Sequence, residues 1–370
     1  MKLYEYQAKN ELKEYDINTP KNILIGKDDN LTDKLSDTPF PVMLKCQLLS
    51  GGRGKRGLIK KVDSLDDAVS LSQAYFENVE GLQYILVEEC IDYDKEIYIS
   101  FSVDSYSGNA LLMGSMQGGV DIEETAAKDK DTIVKTHIDL NLGIQNYQVN
   151  DFLYTMGIGK NADIKQLIYK MYKLFCSLDA ELVEINPLFL LKDGQIISGD
   201  AKISIDDNSM FRHIKYEKDR SHYKSDMEYE AAKEGIPYIE FGGDISLMCA
   251  GAGLANTVYD LVNFEGGNVA NYLEFGGPNY MKAGTAMRLC LQNKPKVVLI
   301  VTFGTIARAD IMAEGIREAI LEYKPSCKII ACLRGTGEER VNEIFSDIGL
   351  TNLSDTEEAV RQAVRYAKEG

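Results

Sequence analysis

Apolar residues in the first two-thirds of the chain form short runs that alternate with longer amphipathic stretches. Short runs rich in apolar and β-branched residues are typical of strands. We therefore predict strands at PVMLKCQLL (41–49), YILVEE (84–89), EIYISFSV (96–103), ALLMGSM (110–116) and ELVEINPLFLL (181–191). A helix is predicted at 163–178, because apolar residues recur there at a helical spacing. These residues are Ile164, Leu167, Ile168, Met171, Leu174 and Phe175.

The pattern changes after a polar stretch at 213–235, which we interpret as a linker between two domains. Beyond it, an apolar strand, a glycine turn and an amphipathic helix follow one another three times, at 244–266, 296–320 and 328–349. Three such units in succession predict a parallel, doubly wound sheet. The sequence therefore predicts a fold of the α/β and α+β classes with two domains.

Composition narrows the classes of function. The 370 residues carry a net charge of −16, which argues against a general nucleic-acid binder. The apolar runs are shorter than the ~18 residues that a membrane span needs. The N-terminus has no apolar targeting segment, and the seven cysteines form no CxxC pair, so we expect a cytoplasmic protein without a zinc site or a disulfide framework.

A basic, glycine-rich loop follows the first predicted strand, which carries Lys45. In the loop, Gly52 and Gly54 flank Arg53. Glycines allow backbone amides to approach phosphate, and cationic side chains offset its charge. The segment matches no standard phosphate-binding motif, however. Taken alone, such a loop is more often the solvated tip of a hairpin than a phosphate site.

Acidic residues mark several strands. Glu88 ends one strand and Glu96 opens the next, where carboxylates either bind a ribose or amine or simply flank the strands as solubilising residues. Glu184 and Asn186 share one strand face. A Lys-Asp-Gly turn then predicts a hairpin whose second strand carries Asp200 and Lys202 on one face. Asn186 and Asp200 offer the oxygen ligands that Mg²⁺ prefers, although a structural hydrogen bond explains them equally well.

Further glycine turns follow other strands. The Gly118-Gly119 pair in QGGVDIEE (117–124) is more typical of a turn than of a ligand contact. Turns at CAGAGLA (249–255) and FGT (303–305) precede predicted helices. Helix N-termini at the carboxyl ends of parallel strands present free amides to anions, but glycines also serve helix–strand packing. These turns favour an anion site only modestly.

Taken together, these segments resemble one family. The order EYQAK, SGGRGKRG, VEINPL, GDAK and GAGLA, from Met1 nearly to the C-terminus, is similar to the beta subunit of succinyl-CoA synthetase. The resemblance implies an ATP-grasp domain at 1–225 and a flavodoxin-like (Rossmann-type) CoA-ligase domain at 237–370. It also implies an acid–thiol ligase that forms ADP or GDP.

The resemblance assigns roles to individual residues. Glu184 would face a phosphohistidine that is carried by an alpha subunit, the partner that also holds the CoA site. The cofactors would be Mg²⁺, bound by Asn186 and Asp200, and ATP/ADP or GTP/GDP. The nucleotide would be bound by Lys45, Gly52, Arg53, Gly54, Glu88, Glu96 and the backbone of Ile91. None of the chain's three histidines, 137, 213 and 222, matches a catalytic position of the family, so the alpha subunit would be obligatory.

The predicted acid site departs from the family pattern. Ala250 replaces an expected Asn before GAGLA, and FGTIAR, which includes Ile306, replaces FGGIVR through Thr305 and Ala307. Arg334 stands where the family has the Glu of an LEG segment. We expect succinate by default, with malate, citrate or a sulfonated dianion as alternatives. A nucleotide-binding scaffold without activity is also compatible with these changes, whereas a C–N-forming ATP-grasp ligase is disfavoured by the second domain.

Overall fold

A computed structural model describes residues 1–119, 132–304 and 306–369. The chain forms two compact units, Met1–His222 and Tyr223–Gly370. The polar stretch at 213–235, predicted as a linker, is divided between them. Its second part forms a helix, Asp226–Lys233, which buries Ala231 in the core of the second unit.

The first unit contains an antiparallel four-stranded sheet in the order β1-β4-β2-β3. Its strands are β1 Asn22–Gly26, β2 Val42–Cys46, β3 Ile59–Val62 and β4 Tyr84–Glu89. Helices α2 (Leu31–Leu35) and α3 (Leu65–Asn78) pack their apolar residues against one face of this sheet. The Ser64 side chain caps α3 by accepting a hydrogen bond from the amide of Asp67.

A second antiparallel sheet of the same unit has the order β10-β8-β5-β6-β7, with β9 paired to β8. Its strands are β5 Lys95–Asp104, β6 Asn109–Ser115, β7 Val134–Ile138, β8 Ala180–Leu190, β9 Ile196–Ser198 and β10 Lys202–Ile205. Its helices are α1 Glu5–Glu14, α4 Asn146–Thr155 and α5 Ala162–Ser177. The predicted helix at 163–178 is confirmed, because all six of its periodic apolar residues are buried.

Strand alternation gives the second sheet two different faces. Ile97, Ile99 and Phe101 enter the core, whereas Tyr98 and Ser100 point to the opposite side and hydrogen-bond each other at 2.7 Å. The five predicted strands of this unit are confirmed as β2, β4, β5, β6 and β8, and the predicted hairpin is β8–β9.

The second unit is a five-stranded sheet in the order β11-β13-β12-β14-β15, parallel except for the edge strand β11. Its strands are β11 Tyr238–Glu240, β12 Ile245–Ala250, β13 Val269–Leu273, β14 Val297–Gly304 and β15 Lys328–Gly335. Its helices are α6 Asp226–Lys233, α7 Ala252–Phe264, α8 Ala283–Gln292, α9 Ala309–Tyr323, α10 Val341–Phe345 and α11 Thr356–Glu369.

Helices cover both faces of this sheet. One core contains residues of α8, α9 and α10, and the other contains residues of α7 and α11. The predicted doubly wound sheet is therefore confirmed, and the carboxyl ends of β12, β14 and β15 meet at one edge. Among the described residues, no helix combines the length and the apolar character that crossing a membrane requires.

Candidate active site

Neighbouring strands of the first sheet present Lys45 and Glu88 on the same face. On β2 and β4, Leu44 and Val87 enter the core beneath α2 and α3, so alternation directs Lys45 and Glu88 to the opposite side. There Lys45 Nζ lies 2.6 Å from Glu88 Oε2. The two charges are thus fixed by strand register.

Helix α1 supplies two further charges to this face. Glu5 and Lys9 lie one helical turn apart and form an ion pair of 2.9 Å. Lys9 also contacts the carboxylate of Glu88, and Lys45 Nζ lies 2.9 Å from Glu5 Oε1. The side chains of Glu5, Lys9 and Glu88 are only 1% exposed, so each charge depends on the others for compensation.

A main-chain carbonyl completes the coordination of both lysines. The oxygen of Gly199 accepts hydrogen bonds from Lys9 Nζ at 2.9 Å and from Lys45 Nζ at 2.8 Å. Gly199 follows β9 and packs tightly against the ring of Phe189, which a Cβ atom at this position would overlap. A glycine is therefore required for this carbonyl to reach the two ammonium groups.

Arg53 connects the glycine-rich loop to the same cluster. Its Nη2 lies 2.8 Å from Glu5 Oε2 and 3.2 Å from Asp200 Oδ2, and its Nη1 donates to the carbonyl of Cys46 at 3.2 Å. The side chain of Arg53 is 12% exposed, so this part of the loop is not a solvated hairpin tip. We call the three carboxylates and three cations the charge cluster: Glu5, Lys9, Lys45, Arg53, Glu88 and Asp200.

The electrostatics of the charge cluster keep its groups ionised to different degrees. Burial lowers the pKa of Lys45, but the carboxylates of Glu5, Glu88 and Asp200 outweigh this and raise its pKa above the usual value. Burial raises the pKa of Glu5, yet Lys45, Lys9 and Arg53 hold that pKa well below its usual range. The pKa of Asp200, in contrast, is raised to about 6 by burial and by Glu5 against the opposing cations.

Asp200 is also the most accessible member of the charge cluster, at 29% exposure. Sequence analysis placed it with Lys202 on one face of a strand, and this was wrong. Asp200 lies between β9 and β10, because β10 begins only at Lys202. Its Oδ1 accepts the amide of Ala201 at 2.7 Å, which fixes the carboxylate in the turn. An accessible carboxylate oxygen is a suitable ligand for a hard cation.

Asn186 and Glu96 lie beside the Gly118-Gly119 pair. Asn186 Oδ1 accepts the amide of Gly119 at 2.8 Å, and the amide of Gly118 donates to the carbonyl of Glu96 at 3.0 Å. Gly119 has φ +69°, as expected for a turn, and a Cβ there would meet the carboxylate of Glu96. The rest of the predicted QGGVDIEE segment, from residue 120, lies outside the described residues.

The structure does not bring the remaining predicted residues of the first unit into the charge cluster. Glu184 lies on β8 between Ser100 of β5 and Lys202 of β10, on the side of the sheet opposite Val183 and Ile185. Ile91 is half-buried in the connection between β4 and β5. Gly52, with φ +71°, and Gly54 have open space around the position of a Cβ.

Glu5 and Lys9 are functional candidates that sequence analysis missed. The signal was present, because both charges share a helix face with the buried residues Ala8 and Leu12. Charged residues on the buried face of a helix require partners.

The second unit holds the predicted acid-site residues at the carboxyl edge of its sheet. Ala250 ends β12 beside Thr302, whose buried hydroxyl has no hydrogen-bond partner among the described residues. Ile306 is 92% exposed, and Ala307 packs at the border of a core. Thr305 lies outside the described residues.

Different protein-family models match the two units of the chain. An ATP-grasp domain model matches residues 2–190, and a CoA-ligase model matches residues 248–366. An ADP-forming sulfoacetate-CoA ligase subunit, SqwK of Acholeplasma sp, is 52% identical over all of this chain and 92% of its own. The SauC subunit of the corresponding ligase of Bilophila wadsworthia is 48% identical over 99% of both chains. The beta subunit of an ADP-forming succinate–CoA ligase of Ignicoccus hospitalis is 34% identical over both full lengths.

A buried charge cluster in an ATP-grasp domain, joined to a CoA-ligase domain, defines a nucleotide-dependent acid–thiol ligase. The chain belongs to the family of beta-type subunits of NDP-forming CoA ligases, which includes sulfoacetate– and succinate–CoA ligases. It therefore binds nucleotide and acts as one subunit of a heteromeric enzyme. The predicted family is confirmed, whereas the narrower resemblance to the succinate enzyme is the more distant one.

Proposed function

We propose that this subunit belongs to an ADP-forming ligase that joins sulfoacetate to coenzyme A. The observation that carries the proposal is full-length identity of 52% and 48% to two sulfoacetate-CoA ligase subunits, against 34% to a succinate–CoA ligase subunit. We further propose that the ATP-grasp domain extends to about residue 225 and that the CoA-ligase domain begins near residue 237.

The replaced residues of the acid site support a bulkier anion. A sulfonate is tetrahedral and has three oxygens, whereas a carboxylate is planar and has two. Ala250 and Ala307 are smaller than the Asn and Val expected from the family, so the substitutions leave more room at the edge of the sheet. The buried hydroxyl of Thr302, next to Ala250, has no partner within the described part of the chain and is an additional donor for an acid oxygen.

The charge cluster supports binding of ATP with Mg²⁺. Three cations and three carboxylates already balance there, so a nucleotide that brings four negative charges needs its own counterion. We assign this cation to the accessible carboxylate of Asp200, with Asn186, whose Oδ1 also accepts the amide of Gly119, as second ligand. Bound Mg²⁺ would supply neutralisation of the charge on the transferring phosphoryl group.

In this proposal, Lys45 and Arg53 hold the phosphates through charge-assisted hydrogen bonds, and the buried carboxylates hold the two cations in place. The γ-phosphoryl passes to a histidine of the alpha subunit, opposite Glu184, and ADP leaves. The phosphoryl then passes to the carboxylate of the acid. The CoA thiolate attacks the resulting acyl phosphate, and the C–O bond to phosphate breaks as the thioester forms.

The test is an acid panel on the reconstituted enzyme. The chain is co-expressed with an alpha-type subunit that carries the catalytic histidine, and CoA-dependent ADP release is measured with sulfoacetate, succinate, malate and citrate. We expect kcat/KM for sulfoacetate to exceed that for succinate by at least about tenfold, a difference of one favourable contact. Turnover with succinate alone overturns the proposed substrate, and ADP release with none of the acids supports the scaffold instead.

A further inference from the structure

Arg334 occupies a defined place at the carboxyl edge of the parallel sheet. On β15 it pairs with Phe303 of β14, one position beyond the pair Thr302 and Leu333. Because side chains alternate, Leu333 enters the core beneath α8 and α9, and Arg334 lies on the other face, toward α7 and α11. Ligands of open parallel sheets bind at this edge.

Three contacts hold the Arg334 segment in one orientation. Arg334 Nε lies 3.1 Å from Glu338 Oε2, which also accepts the amide of Gly335 at 2.7 Å. Nη1 donates to the carbonyl of Ser354 at the start of α11. Within the described residues, Nη2 has no acceptor, and the side chain remains 39% exposed. One end of the guanidinium fork is therefore positioned and accessible to an anion.

Two other arginines near this edge pair with a buried carboxylate instead. Arg308 binds Asp310 through both Nε, at 3.0 Å, and Nη2, at 2.8 Å. Arg340 Nη1 shares the same carboxylate at 3.1 Å. Asp310 is 3% exposed, so both arginines are committed to a buried carboxylate, whereas the partner of Arg334 is 42% exposed and screened by water.

The charge at this position is opposite to that expected from the family. The LEG segment of the resembling succinate enzymes carries Glu, and this chain carries Arg. We propose that Arg334 is a specificity-determining residue whose guanidinium binds the sulfonate of the acid substrate. This inference rests on the proposed function. A sulfonate keeps its charge over the whole physiological pH range and offers three acceptors to the guanidinium N–H groups.

The experiment compares acids on the complete two-subunit enzyme. Arg334→Glu restores the acidic residue of the family, Arg334→Gln removes the charge alone, and Arg334→Lys keeps charge without the fork. The matched control is Arg361→Glu on α11, an arginine 46% exposed and paired with Glu357 and Glu358. Values of kcat and KM are measured for sulfoacetate, succinate and ATP.

We expect Arg334→Glu and Arg334→Gln to raise KM for sulfoacetate about 30-fold, because a hydrogen bond to a charged group is lost. Arg334→Lys should raise KM for sulfoacetate about tenfold. KM for ATP and the succinate constants change by less than about threefold, as do all constants of the control. Equal losses with both acids, or an unchanged preference for sulfoacetate, overturn the inference while the proposed function stands. A wild-type enzyme that uses succinate alone overturns both.

Discussion

At the scale of single residues, Lys45 is a buried cation of the charge cluster with three partners. It contacts Glu5, Glu88 and the carbonyl of Gly199, and it is 10% exposed. Its ammonium therefore serves stability, because the two carboxylates that hold it would be left buried and undercompensated without it, and in the proposed function it also binds phosphate.

Replacing Lys45 by Met removes the ammonium group. Comparison with an exposed lysine separates the resulting losses of stability and of ATP affinity from the loss of a surface charge. We expect the free energy of unfolding to fall by about 3–5 kcal/mol, as when one partner of a buried ion pair is removed. The affinity for ATP should fall at least about tenfold. Urea denaturation and calorimetric titration measure the two effects. Lys60→Met, at an exposed residue of the neighbouring strand β3, is the control, and equal behaviour of the two variants would contradict the role of the cluster.

Asp310 provides a prediction about pH. Hydrogen bonds from Arg308, with help from Arg340 and against the effect of burial, lower the pKa of Asp310 from 3.8 to about 2. The ionised carboxylate therefore stabilises the folded state fully above the unfolded pKa of about 4, and this contribution is lost as the pH falls toward 2.

In urea titrations, Asp310→Asn should lower the midpoint at about pH 7, and its difference from the wild type should shrink markedly below about pH 3. Asp347→Asn is the comparison, because Asp347 pairs with Arg317 while 49% exposed and should contribute little. A difference between Asp310→Asn and the wild type that stays constant down to pH 2 would exclude the carboxylate as its source.

At the scale of elements, local sequence patterns predicted the helices and hairpins that form through interactions between residues close in sequence. Helix α5 was recognisable from its apolar stripe, and β8–β9 from its turn residues. Four of the six members of the charge cluster were recognisable, but Glu5 and Lys9 were not. Their partners Lys45 and Glu88 lie 40 and 79 residues away along the chain, a distance at which sequence spacing carries no information on contact. Asp200 was misplaced because Gly199 turns the chain there for a packing reason, contact with Phe189.

Because Gly118 has no side chain, the Gly118-Gly119 turn can lie close to the backbone of β5, the strand that carries Glu96. A Cβ at Gly118 would lie 2.7 Å from the amide nitrogen of Ile97, a backbone atom that has no freedom to move aside. We expect Gly118→Ala to cost about 1–3 kcal/mol in unfolding free energy and to weaken ATP binding by displacing Glu96. Gly51→Ala, where a Cβ meets open space, is the control; similar losses in both would refute a steric cause.

At the scale of the whole molecule, the chemistry is divided between two units with separate cores. All six residues of the charge cluster belong to the first unit, and the departures from the family pattern at Ala250, Ala307 and Arg334 belong to the second. Each unit has its own cores and its own sheets. Nucleotide binding is therefore expected to stabilise one unit directly and not the other.

Scanning calorimetry checks this expectation. With ATP and Mg²⁺ at about 100 times the dissociation constant, the first unit should gain about 2.7 kcal/mol, which shifts its transition upward by a few degrees. The transition of the second unit should stay within about one degree of its position without ligand. The Lys45→Met variant is the control: at the same ATP concentration its at least tenfold lower affinity should reduce the gain to about 1.4 kcal/mol or less. A uniform shift of all transitions would show that the units unfold together.

The bond from Lys9 and Lys45 to the carbonyl of Gly199 has a consequence for how this enzyme can be studied. The acceptor is a main-chain oxygen, present whichever amino acid the codon specifies, so no survey of side-chain replacements detects its contribution. Semisynthesis with an amide-to-ester exchange after Gly199 would weaken that oxygen as an acceptor without altering any side chain. Substitutions would identify Gly199 only as a position that must be small, although its main-chain oxygen also accepts hydrogen bonds from two ammonium groups.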